Sequence, residues 1–242
     1  MKTQKKSLKH VLLILAMLCI VCVAVTVSPL CAFAAGSTVI ATPVSGSSTN
    51  NTVEKSGVTP LTTTYVAELT VYADSDSTSS WSTDGHAYIS VKNISSSSIQ
   101  VGQLTGIAPG NMVSVGTWGN KDEHTGLWYD LEEYFTHYAG AFLDSASLTM
   151  QLTSSQLSST NTYITNHDSW SVLNNCSSFA SGLWNSVSST TLSAGTPNTP
   201  SSLENSIKSK SGYVNGKILS YDYMVYYAQG SNNPPVQSTE FR

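Results

Sequence analysis

Two short stretches of this 242-residue chain carry residue types that can do covalent chemistry together. The first is Asn175-Cys176, followed by Phe179, Ala180, Leu183, Trp184 and Val187. Those apolar positions form one helical stripe, so a helix is predicted to begin at Asn175 or Cys176. A cysteine in a first helical turn sits among unpaired backbone N–H groups and at the positive end of the helix dipole, which favours thiolate over thiol. Such settings bring a thiol from about 8.5 to between about 3.5 and about 7.5. The Cys176 backbone N–H can also hold the oxyanion that forms when the sulfur attacks a carbonyl.

A thiol nucleophile needs a base or ion-pair partner. Histidines 86, 124, 137 and 167 follow the N-terminal apolar segment. His86 is the best placed, at the start of a predicted strand after Asp84-Gly85. Its face, with Tyr88 and Ser90, is opposite that of Ala87, Ile89 and Val91. His124 falls in the charged turn Lys121-Asp122-Glu123-His124 and is expected to be solvated. His137 and His167 are expected at the surface or at caps. Glu132-Glu133 and Asp122-Glu123 match no metal loop and are expected on a solvated face. Trp118, Trp128, Tyr129, Tyr134 and Tyr138 could stack on sugars, but aromatics at this spacing more often build a core. No zinc spacing, P-loop or Gly-x-Ser-x-Gly motif occurs, so neither cofactor nor metal is implied.

Gly85-His86-Ala87-Tyr88-Ile89, then Asn175-Cys176-Ser177-Ser178-Phe179-Ala180 about ninety residues later, resembles the circularly permuted papain-like (NlpC/P60-type) cysteine hydrolases. In that group the histidine strand precedes the cysteine helix, and a Pro-rich stretch such as Thr196-Pro197-Asn198-Thr199-Pro200 recurs before a short helix. The resemblance covers roughly residues 65–210 and implies Cys176 as nucleophile and His86 as base. It also implies a polar residue on the strand after the histidine strand to orient the imidazole. Ser95 to Gln103 offers only Ser, Gln and Gly as polar groups for that role; Gln103, Asn120 and His124 stand as the candidates, and the choice is open.

The elements that must position these groups follow from pattern. Strands are predicted at Tyr65–Val71, Gly85–Lys92, Ile99–Ile107 and Met112–Trp118, the last two joined at Pro109-Gly110-Asn111. Leu127–Leu131 and Ser147–Leu152 are further short strands. Thr153-Ser154-Ser155-Gln156 fits a capping box opening a helix to about Asn166. Thr199-Pro200 supplies an N-cap and N1 proline for a short helix carrying Leu203 and Ile207. Asn215-Gly216 signals a hairpin turn. Strands first and helices after predict an α+β domain around an antiparallel sheet, over residues 63–232, with 233–242 as a disordered tail.

The ends of the chain set the compartment. Lys2, Lys5, Lys6 and Lys9 precede an apolar run from Val11 to Val27, broken at Ser28-Pro29, with Ala32-Phe33-Ala34 behind it. This reads as a secretory signal peptide over residues 1–34, cleaved after Ala34, in preference to an uncleaved anchor. Leu30 before Cys31 argues against lipid attachment. Four of the eleven basic residues leave with that segment and all fifteen acidic ones stay, so the remainder is distinctly acidic. Cys176 becomes the sole cysteine. The Ser/Thr-rich residues 35–62 read as a flexible linker or pro-region.

The expectation from residues and resemblance together is a secreted or cell-wall-associated, monomeric thiol hydrolase or acyl-transfer enzyme. Its substrate would be an amide or ester, foremost a cell-wall peptide, with no stable membrane association after cleavage. With Arg242 the only arginine, nucleic acid is not an expected partner. The alternative is a non-catalytic extracellular binding module that retains the fold.

Overall fold

The computed structural model describes residues 63–75, 85–220 and 224–242. The signal segment, the 35–62 spacer and most of the polar loop around Trp81 lie outside the described residues.

An eight-stranded antiparallel sheet organises the domain, in the order β10-β9-β6-β5-β2-β1-β7-β8. Its centre is β1 (Tyr65–Asp74), flanked by β2 (His86–Asn93) and β7 (Ala146–Thr153). Beyond β2 come β5 (Met112–Trp118) and β6 (Gly126–Tyr129). Three two-residue strands complete the edges: β8 (Val214–Asn215), β9 (Tyr226–Tyr227) and β10 (Val236–Gln237). The coarse reading, α+β around an antiparallel sheet, is what the chain adopts.

Both faces of the sheet are covered. Helices α2 (Ser154–Thr165), α3 (Cys176–Val187) and α4 (Pro200–Lys208) lie on one face, where Leu69, Val71, Ala87, Ile89, Val113 and Val115 meet Phe179, Leu183 and Leu203. Helix α1 (Leu131–Ala139) covers the other with an aromatic core of Tyr72, Tyr88, Trp118, Trp128 and Phe135. Trp118, Trp128 and Tyr129 are buried as expected of core aromatics, whereas Tyr138 is 61% exposed.

The predicted helix starts are realised by the predicted side chains. Thr153 Oγ1 accepts from Gln156 N and Thr153 N donates to Gln156 Oε1, the reciprocal capping box. Thr199 Oγ1 accepts from Ser202 N ahead of Pro200. Asn175 Oδ1 accepts from the amides of Ser177 and Ser178.

Four expectations are corrected. The predicted strand Ile99–Ile107 is two strands, β3 (Ile99–Val101) and β4 (Leu104–Ile107), folded on each other as a separate hairpin. Gly102 breaks it: its φ is +56°, and a Cβ there would lie 2.5 Å from the Tyr129 hydroxyl. Leu131, predicted to end a strand, instead begins α1. Asn215-Gly216 does not close a local hairpin; β8 pairs with β7, and Gly216 N donates to Ser145 O. Residues 233–242 are not a disordered tail: β10 pairs with β9, Phe241 packs in the aromatic core, and Glu123 accepts from Ser238 and Thr239.

Candidate active site

Cys176 is the first residue of α3, and His86 the first residue of β2. The helix packs across the strand, so its N-terminus arrives at the strand's first residue, and both side chains line one cleft of about 580 Å³. Cys176 is almost buried, at 9% exposure, and its opening is to that cleft. Its surroundings favour the anion. Burial pushes the Cys176 thiol up, but the His86 ring, a hydrogen bond from Ala87 N–H and the Ser177 hydroxyl outweigh it and bring the thiol below its ordinary value. The Cys176 N–H has no acceptor among the described residues, since Asn175 caps the next two amides instead.

His86 Nε2 hydrogen-bonds Glu132 Oε1 at 2.9 Å, which leaves Nδ1 for the sulfur. Burial works against the imidazolium. The adjacent Cys176 sulfur and the Glu132 carboxylate reverse that and push the His86 pKa up to about 9. The ring is also held by aromatics: Trp118 at 3.9 Å between centroids, Phe142 at 5.5 Å and Tyr88 at 5.8 Å.

Glu132 is the orienting group that residue patterns missed. It was expected on a solvated face, and it is fully buried. Oε1 accepts from His86 and from Trp118 Nε1 at 2.8 Å; Oε2 accepts from Ser114 Oγ at 2.9 Å. A buried carboxylate requires such donors. It stands in the first turn of α1, not on the strand after the histidine strand. Asp130, at φ +59°, turns the chain into that helix and is pinned to β5 by paired bonds with the Ser114 backbone. Gly116 of β5 faces the pair: a Cβ there would sit 2.2 Å from Glu132 Oε1 and 3.1 Å from His86 Nε2. The missed signal was helical. Leu131, Glu132, Phe135 and Thr136 recur at i, i+1, i+4 and i+5, and all four are buried.

None of the three sequence candidates orients His86. Gln103 Nε2 donates to the carbonyls of Gly230, Ser231 and Asn233, tying the β3–β4 turn to the C-terminal segment. Asn120 lines the cleft, exposed to solvent. His124, instead of being solvated, bonds Asp168 Oδ1 at 2.6 Å. His167 caps α2, its Nδ1–H donating to Tyr163 O at 2.7 Å.

Among the described residues no group of three or more His, Cys, Asp and Glu side chains could hold a metal ion. No helix among them is long and apolar enough to cross a membrane. Comparison of the chain with protein-family models, with curated proteins and with solved structures finds no match. The chemical reading therefore rests on the geometry of these side chains.

Proposed function

We propose that this protein is an exported cysteine hydrolase of permuted papain-like (NlpC/P60-type) arrangement that cleaves an amide or ester, foremost in a cell-wall peptide. The observation that carries this reading is the buried chain Cys176–His86–Glu132, with a depressed thiol and a raised imidazole facing one cleft. Ionisable groups pushed apart in this way are usual at sites of proton transfer, and less usual in a purely structural core.

The steps follow from the roles. The Cys176 thiolate attacks the carbonyl carbon, and the carbonyl oxygen takes the negative charge beside the Cys176 N–H. The tetrahedral species collapses, the bond to the leaving nitrogen or oxygen breaks, and the His86 imidazolium gives its proton to that atom. A thioester remains. Neutral His86 then takes a proton from water, the resulting hydroxide equivalent attacks the thioester, and the thiolate departs to re-form the ion pair. Glu132 holds the ring orientation throughout and steadies its positive charge.

A non-catalytic binding module that retains the fold would need no group to orient the imidazole. Glu132 in that position supports catalysis instead. The test is Cys176→Ala assayed on a panel of cell-wall peptides, peptide amides and esters. Activity is expected to fall by at least about 10³-fold, with the fold retained by circular dichroism. Undiminished hydrolysis by the variant would overturn the mechanism.

A further inference from the structure

The cleft around Cys176 is neutral and largely apolar once the catalytic pair is set aside. Its walls are Trp118, Trp170, Val172, Pro197 and Pro200. The polar groups between them, Thr117, Asn120, Asn198 and Thr199 among them, are uncharged. No Asp, Glu, Lys or Arg lines the cleft among the described residues. Among the described residues, the charged groups nearest in sequence to the cleft are turned to other work. Lys121 Nζ lies 4.4 Å from the Trp118 ring centroid and 4.7 Å from that of Phe135, in the aromatic core on the α1 side. Glu204 accepts from Lys208 and from Ser75 N. Asp168 is held by His124, Leu127 N and Gly230 N.

Trp170 supplies the indole face of this wall. It belongs to the segment joining α2 to α3, and it lies flat on the backbone of Gly119: a Cβ on Gly119 would come 2.2 Å from Cε3 of the indole. Only glycine allows that approach. The segment is anchored on both sides of Trp170, by Asp168 two residues before it and by Asn175, whose Nδ2 donates to Val172 O and Asn198 O. Val172 stays 73% exposed at the lip despite its apolar side chain.

Outside the catalytic pair, a charged group entering such a cleft gives up hydration and finds no counter-charge among the described lining residues, while an apolar group gains contact with indole and proline surface. We propose that the site selects substrates whose groups flanking the scissile carbonyl are uncharged and apolar, with Trp170 as the wall that reads them. In peptide terms this is a bond between neutral residues, not one beside a free carboxylate or amine. The inference rests on the thiol hydrolase reading and specifies its substrate.

Alkylation of Cys176 tests it without a known substrate. Three iodoacetamides would be compared on the full mature chain: N-butyl, N-(3-carboxypropyl) and N-(3-aminopropyl), each rate divided by its rate with glutathione. The charge lies three carbons from the amide nitrogen, away from the reacting carbon. The neutral probe is expected to react at least tenfold faster than either charged one. In Trp170→Ala the advantage of the butyl probe over the charged probes, each rate taken relative to plain iodoacetamide on the same variant, is expected to shrink at least threefold. Equal normalised rates for all three probes, or a faster carboxylate, would overturn the inference while fast labelling by plain iodoacetamide upheld the thiolate. Slow labelling by every reagent would sink the thiolate reading and this inference with it. The wild-type comparison stands on its own if the tryptophan variant does not fold.

Discussion

Among the described residues, two histidine–carboxylate pairs have nearly the same bond and different consequences. His86 and Glu132 meet at 2.9 Å with side chains 3% and 0% exposed; His124 and Asp168 meet at 2.6 Å with side chains 20% and 8% exposed. In the first pair the carboxylate takes side-chain donors only, from His86, Trp118 and Ser114, and the Cys176 sulfur lies near enough to help raise the His86 pKa. In the second the carboxylate takes two backbone amides, from Leu127 and Gly230, and the ring packs against Tyr227 at 5.5 Å. On the hydrolase reading proposed above, the first pair tunes a nucleophile, while the second ties loops together. A histidine–carboxylate contact is thus no sign of catalysis until the second ring nitrogen is accounted for.

The largest difference is expected from removing each histidine. His86→Ala takes away the imidazolium that holds the thiolate and the acid that protonates the leaving group. Hydrolysis should fall on the order of 10⁴-fold, and iodoacetamide labelling of Cys176 at pH 7 should slow with it. His124→Ala should leave both within about threefold, because His124 is not among the residues lining the cleft. Equal losses from the two variants would erase the distinction between the pairs.

Next in size is the charge on Glu132. Glu132→Gln keeps the shape and removes the charge, and turnover should drop on the order of 10²-fold. The pH profile gives the sharper reading. Labelling and activity should rise through the depressed thiol pKa, and hydrolysis should fall as pH passes about 9, where the His86 imidazolium loses its proton. Glu132 raises the His86 pKa, so in the amide variant the alkaline limb moves to lower pH. A less cationic His86 depresses the thiol less, so the acid limb moves up. The window narrows from both sides. A profile that shifts bodily in one direction would mean that Glu132 acts on something other than the ring.

How much of this was visible in the sequence depends on how far apart the partners stand. Cys176 was legible because an N-cap, a first-turn position and an apolar stripe are all local signals. His86 was legible from its place at a strand start. Glu132 lies forty-six residues from His86, and their meeting depends on β5, β6 and the turn at Asp130. Leu131-Glu132-Glu133 also has the composition of an ordinary acidic first turn. The C-terminal segment failed for a related reason. Val236 and Phe241 are too few to suggest a core, and what holds the segment is Glu123, more than a hundred residues away. The hairpin β3–β4 was hidden because Ile99, Val101, Leu104 and Ile107 read as a single strand until Gly102 is known to have positive φ.

Gly116 offers a smaller and more local perturbation. In Gly116→Ala the added methyl would meet Glu132 Oε1 at 2.2 Å, so the carboxylate must move away from the ring. Overpacking of this kind costs about 1–3 kcal/mol, measurable by urea denaturation. Activity should fall along with stability, because the group displaced is the one orienting His86. If the variant lost stability alone, the orientation of the imidazole would matter less to turnover than its presence.

The smallest effect is expected at the second pair, and it is where the structural role can be isolated. Burial pushes the Asp168 carboxyl up, but the bonds from His124, Leu127 N and Gly230 N hold it below its usual range. Those bonds are present in the folded chain and lost in the unfolded one. Asp168 therefore stabilises the fold above the ordinary carboxylate range, and its contribution fades as pH falls through the depressed folded value. Asp168→Asn should cost about 1–3 kcal/mol at pH 7, the usual penalty for weakening hydrogen bonds to a charged acceptor. The deficit against wild type should shrink on acidification. Asp168 stands two residues before Trp170, so a loosened anchor should raise KM by a few-fold and leave kcat in place. A fall in kcat with KM unchanged would show that the loop pair reaches the chemistry after all, and the division between the two pairs would have to be redrawn.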